Sequence, residues 1–111
     1  MIRARLLENS DHRLYGFIID GHAGYDEPGQ DIICAAVSVL ATNTANSIEA
    51  LIRLPMETEV SEGHMKVMIP SIREGKNCGE AELLLQSLQL GLQSVVDAYG
   101  TDFVKLSVRS E

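Results

Sequence analysis

The residues with most chemistry to offer sit in one short stretch, where Gly21-His22-Ala23-Gly24-Tyr25 is followed by Asp31-Ile32-Ile33-Cys34-Ala35-Ala36-Val37-Ser38. A thiolate is a strong nucleophile, and an imidazole can take and return a proton near neutral pH. Paired, they suit acyl transfer, with Cys34 attacking a carbonyl and His22 as general base. If Asp31 caps a helix, Cys34 is its third residue, where unpaired N–H groups and the helix dipole favour a thiolate. The same N–H groups could hold the oxyanion of the attacked carbonyl. Asp31 can also orient His22 as a third member of the site, although the cap is the simpler role. Ser38, four residues beyond Cys34 on the same face, either hydrogen-bonds within the site or bonds back to a helix carbonyl. Gly21 and Ala23 leave room beside His22 for a substrate, and Gly21, Gly24 and Gly29 give the intervening loop backbone angles that other residues avoid.

Each of these residues also has an ordinary structural reading. Cysteine is among the most buried residue types, and a lone one in an apolar helix is usually a core filler. Cys34 differs because it precedes most of its apolar stripe and borders a glycine-rich loop. Cys78 lacks a flanking His or Gly cluster and reads as structural. His12 and His64 fall in predicted turns and read as solvated. No Cys-x-x-Cys or His-x-x-x-His spacing supports zinc, and the glycines match no phosphate-binding pattern, so neither metal nor cofactor is expected.

The elements that position the pair follow from periodicity. Ile2, Ala4 and Leu6 alternate with Arg3 and Arg5 as in a half-buried strand, and a second strand over Leu14 to Ile19 completes a hairpin. Gly21 to Gln30 is a loop. Ile33, Val37, Leu40, Thr44, Ile48, Leu51 and Ile52 then share one helical face, in a helix expected to end near Leu54, before Pro55. Glu57–Val60 and Met65–Ile69 make a second hairpin, stopped by Pro70 and followed by a loop over Ser71 to Asn77. Ala81, Leu84, Leu85, Leu88, Leu92, Val95, Val96 and Tyr99 stripe a second helix, with Asn77 and Glu80 at capping-box spacing and Gly100 as its C-terminal cap. Val104, Leu106 and Val108 alternate in a last strand. The order ββαββαβ predicts an α+β fold, a mixed sheet with two helices packed on one face.

The sequence has 111 residues, enough for a single domain over 1–111 without a disulfide or metal staple. Two cysteines are expected to stay reduced thiols in a cytoplasmic protein. The basic start at Arg3 and Arg5 meets Glu8 and Asp11 rather than an apolar stretch, and the apolar run Ile32 to Ala41 is too short to cross a bilayer. A net charge of −7 argues against binding a phosphate backbone and for a basic partner.

Taken together, Gly21-His22-Ala23-Gly24, then Gly29-x-Asp31-Ile32-Ile33-Cys34-Ala35-Ala36-Val37-Ser38, resembles the signature of the bacterial ribosomal-processing cysteine proteases, called Prp. Ala81-Glu82-Leu83-Leu84-Leu85-Gln86-Ser87, continuing to Leu92-Gln93, is similar to the second helix of that family. The resemblance implies a His22–Cys34 dyad, with Asp31 and Ser38 as matching motif positions. It also implies a homodimer whose substrate is a ribosomal protein precursor, trimmed of the N-terminal extension of a large-subunit protein. Ile33 stands where Val is more usual, and Asp26-Glu27-Pro28 makes the loop more acidic and stiffer than in some relatives. The alternative from another class is a non-enzymatic ribosome-associated binding module, in which Cys34 packs and His22 shapes a loop.

Overall fold

The computed structural model describes residues 1–27 and 30–110, so Gly29 lies outside the described residues. In chain order the elements are β1 (Ile2–Glu8), β2 (Leu14–Gly21), α1 (Ile32–Ser47) with a π-helical turn over Ile48–Ile52, β3 (Glu57–Ser61), β4 (His64–Met68), α2 (Pro70–Arg73), α3 (Gly79–Tyr99) and β5 (Val104–Ser110). The strands form one sheet in the order β3-β4-β2-β1-β5, antiparallel throughout except for the parallel pair β1–β5.

The period-two pattern decides which face is covered. Register pairs Ala4 with Ile19, Leu6 with Phe17, Phe17 with Val67 and Ile2 with Val104, so these side chains point the same way and are buried. Ala81, Leu85, Leu88 and Leu92 of α3 and Ile33, Val37 and Ala41 of α1 close over that face. Fully burying each large aliphatic among them contributes about 1.5–3 kcal/mol. The predicted α+β layering, a mixed sheet under two helices, is the observed one.

Four local expectations are corrected. Helix α1 ends at Ser47, and the wider π turn that follows breaks the 3.6-residue phase, so Ile48 is fully buried while Leu51 is 78% exposed. Arg53 closes the turn in the left-handed region (φ 60°), its N–H donating to the Ile48 carbonyl at 2.8 Å. Pro70 starts a helical turn where a loop was expected, because its missing N–H and fixed φ suit a first helical position; Asn9 Nδ2 ties that turn down by donating to the Ile72 carbonyl at 2.8 Å. Helix α3 is capped by Cys78, not Asn77, and the carboxylate reaching back is Glu82, which accepts from the Cys78 N–H at 3.3 Å.

The fourth concerns His64. The other face of the sheet carries Arg3, Arg5, Asp20, Glu59 and Lys66, and His64 opens β4 among them. Asp20 takes Arg5 on one side and His64 Nδ1 on the other, while His64 Nε2 lies 3.4 Å from Glu59. The hydrogen bond from His64 holds the Asp20 carboxyl below its usual range, and the same bond pushes the His64 imidazole up. His64 is therefore paired, whereas His12 stands exposed, 3.3 Å from Glu8.

The continuous helical stretch Ile32–Ile52 runs 21 residues and is long and apolar enough by composition to cross a bilayer, unlike the shorter apolar run within it. Its inner residues Ile33, Val37, Ala41, Thr44 and Ile48 sit in the core.

Candidate active site

Strand β2 delivers His22 and helix α1 delivers Cys34, and the turn out of the sheet depends on Gly21. Its φ is +95°, and a Cβ there would fall 2.3 Å from the Met1 carbonyl oxygen, so no side chain fits. His22 follows, its carbonyl accepting a hydrogen bond from the Met1 ammonium group. Its imidazole is exposed and lies against the β3–β4 turn, where a Cβ on Gly63 would come 2.9 Å from Nε2. No hydrogen bond to the His22 ring is present among the described residues.

Asp31 caps α1. Its Oδ1 accepts from the Ile33 and Cys34 N–H groups, both at 3.0 Å, and its Oδ2 accepts from the Tyr25 N–H at 3.1 Å. Burial alone would raise this carboxyl, but the amides of Cys34, Tyr25 and Ile33 hold it below the usual carboxylate range. It makes no bond to His22, so the cap is the role the geometry gives it.

That cap changes the electrostatics expected of the helix start. The two amides anticipated as partners for a thiolate or an oxyanion are already engaged by a carboxylate. Burial pushes the Cys34 thiol above its ordinary pKa, and the nearby Asp31 charge adds to the shift. The opposing contact is the Ala23 N–H, which points at Cys34 Sγ at 3.3 Å. Ala23, singled out for its small side chain, is buried and bears on the sulfur through its amide.

His22, Gly24, Asp26, Asp31, Cys34, Ala35 and Ser38 line one cavity of about 540 Å³. The structure thus brings four predicted residues, His22, Asp31, Cys34 and Ser38, to a single concave site. Ser38 is exposed there and forms neither of the hydrogen bonds expected of it. Gly24 (φ +71°) forms part of the wall, and Gly21 acts from behind by directing the chain. Three contributors went unnoticed in the sequence: the Ala23 amide, Gly63 beneath the imidazole, and Tyr25, whose N–H reaches Asp31. Tyr25 lay within the motif, and a large aromatic among glycines was the available signal. Among the described residues no group of three or more His, Cys, Asp or Glu is placed to hold a metal ion, and both cysteines are free thiols.

The chain is similar in sequence and fold to known proteins. The sequence profile of the family described as cysteine protease Prp matches residues 1–104. The ribosomal processing cysteine protease Prp of Staphylococcus aureus is 30% identical over 101 residues, covering 89% of this chain and 92% of its own. The protein of the same description from Bacillus subtilis is 25% identical over 101 residues, covering 89% of this chain and 90% of its own. Among solved structures, the S. aureus protease with a covalently linked product peptide superposes with a TM-score of 0.86 at 26% identity, covering 98% of this chain and 100% of that one. The same protease with a substrate peptide gives a TM-score of 0.79 at 25% identity, with the same coverage. The chain belongs to the Prp family and is a cysteine protease, not the non-enzymatic binding module that the sequence had left as an alternative.

Proposed function

We propose that this protease removes the N-terminal extension of a large-subunit ribosomal protein, with Cys34 as nucleophile and His22 as general base. His22 takes the proton from Cys34 as the sulfur attacks the scissile carbonyl carbon. The C–N bond then breaks, His22 returns the proton to the leaving amine, and water hydrolyses the thioester to free the enzyme. Asp31 holds the helix start and the loop together, and Ser38 shapes the floor of the cavity. The observation that carries this reading is that the thiol and the imidazole open onto one cavity, with a loop amide aimed at the sulfur.

The substrate class is supported by the relatives, which are ribosomal processing proteases and include one seen with substrate and product peptides. The net charge of −7 suits a basic ribosomal protein. The same reading puts the enzyme in the cytoplasm, acting as a homodimer without contacting nucleic acid or membrane. Sedimentation equilibrium tests the dimer.

The decisive assay follows cleavage of a peptide spanning the extension junction by Cys34→Ala and His22→Ala. Both are expected to lose turnover by at least about a hundredfold while keeping the parent circular dichroism spectrum. Turnover retained by Cys34→Ala would remove the mechanism.

A further inference from the structure

We infer that Tyr25 is a positioning residue, anchored on Tyr99 and Phe103, that holds the Ala23 amide on the sulfur of Cys34. Its significance for catalysis rests on the proposed role of Cys34; the anchoring itself does not.

Gly24 and Asp26 line the cavity, while Tyr25 between them turns its ring the other way, onto the connection between α3 and β5. There it meets Tyr99 at 5.9 Å between centroids and 73° between planes, and Phe103 at 5.3 Å and 75°. Both contacts are edge-to-face, the arrangement that the ring quadrupoles favour. The platform is firm. Tyr99 is the last residue of the 21-residue helix α3, and the Phe103 carbonyl accepts from the Ile2 N–H at 2.9 Å, which ties this connection to β1.

Among the described residues, the segment 23–25 on the other side has few contacts. A Cβ on Gly24 would have none of the described residues within 4 Å, so none of them braces that position. Among the described residues, the segment 23–25 is held by the buried Ala23 methyl, the Ala23 N–H on Sγ, the Tyr25 N–H on Asp31 and the Tyr25 ring, which alone ties it to the far end of α3. Two part-buried hydrogen bonds in a short loop open more readily without a packed anchor beyond Gly24. The ring supplies that anchor, so the end of α3 sets where the amide facing the sulfur stands. Tyr25 acts from behind the site, through Ala23 and Asp31, without contacting a substrate in the cavity.

The test measures amide hydrogen exchange at Ala23 by NMR alongside peptide cleavage, in Tyr25→Ala and Tyr25→Phe. Exchange at Ala23 is a clean readout because an amide's intrinsic rate depends on its own and the preceding side chain, neither of which is altered. Tyr25→Ala is expected to speed Ala23 exchange roughly tenfold and to lower kcat by a similar factor with KM within about twofold. Tyr25→Phe keeps the ring and is expected to restore both. Tyr99→Ala, which removes one ring contact from the opposite side, should give a smaller rise in Ala23 exchange. Parent-like Ala23 exchange in Tyr25→Ala overturns the inference, as does a raised KM with kcat intact, which would place Tyr25 on the substrate. Cleavage retained by Cys34→Ala would instead defeat the proposed nucleophile and leave the exchange result standing.

Discussion

An unperturbed thiol with a pKa of about 8.5 is roughly 3% thiolate at pH 7. Cys34 should fall below that figure in the unliganded protein, since burial and the Asp31 carboxylate both favour the neutral thiol over the Ala23 amide that opposes them. The measurement is the rate of iodoacetamide alkylation against pH, in a Cys78→Ser background so that one thiol reacts. The pH midpoint is the informative quantity, because restricted access slows every rate without moving it. We expect a midpoint above about 8.5. Asp31→Asn should then lower it, since Asn and Asp are nearly equal helix caps. Its oxygen can still accept from the Ile33 and Cys34 N–H groups, which bond Asp31 Oδ1 at 3.0 Å, while the charge is gone and the amide nitrogen in the place of Oδ2 no longer accepts from the Tyr25 N–H. Each unit of movement changes the thiolate fraction about tenfold on the low-pH side. A parent midpoint below about 8, or one that Asp31→Asn leaves in place or raises while the Ala23 amide keeps its parent exchange rate, would refute this electrostatic account.

Gly63→Ala places a methyl 2.9 Å from His22 Nε2 at a residue with φ +69°; the backbone strain should cost about 1 kcal/mol, near 4 °C in Tm by calorimetry. The displaced imidazole should lower kcat/KM in the peptide assay. The Asp20–His64 pair should make stability pH-dependent in a definite sense. A raised His64 contributes fully below about pH 6.5 and loses that contribution as pH rises through its folded-state value, while a lowered Asp20 contributes above about pH 4 and loses it as pH falls. Urea denaturation at a series of pH values should therefore show the pair's contribution fullest between those limits, and His64→Gln should flatten the profile.

How much of this was readable beforehand depends on whether the cause is local. Ile2, Ala4 and Leu6 announce a half-buried strand because period two is a property of the strand itself, and the α3 stripe through Leu85, Leu88 and Leu92 does the same at period 3.6. Leu51 was misplaced because that periodicity assumes an unbroken α-helix, and nothing in Ile48-Glu49-Ala50 signals a π turn. His64 looked solvated because its partner Asp20 is 44 residues away and becomes a neighbour only through the β2–β4 register. Helix α2 is hidden in the sequence because Pro70 both stops a strand and suits a first helical position. The engaged amides at the start of α1 could have been foreseen. An aspartate at the N-cap bonds the second and third helical N–H groups, the same ones that a thiolate or an oxyanion at this helix start would need.

That conflict bears on how the site works. A thiolate standing ionised at an exposed helix start is the species that oxidants and foreign disulfides attack. Burial pushes the Cys34 thiol up, and Asp31, which places a carboxylate on the positive end of α1, adds to the shift. On the proposed mechanism a thiol pushed up in this way passes its proton to His22 during attack, the general-base role proposed for the imidazole. The imidazole lines the cavity, exposed and without a hydrogen bond among the described residues, with Gly63 behind it. A site built in this way ties reactivity to the arrival of a carbonyl that draws thiol and imidazole together. Its selectivity then rests on what the cavity and the loop between His22 and Asp31 admit, more than on the intrinsic reactivity of the sulfur.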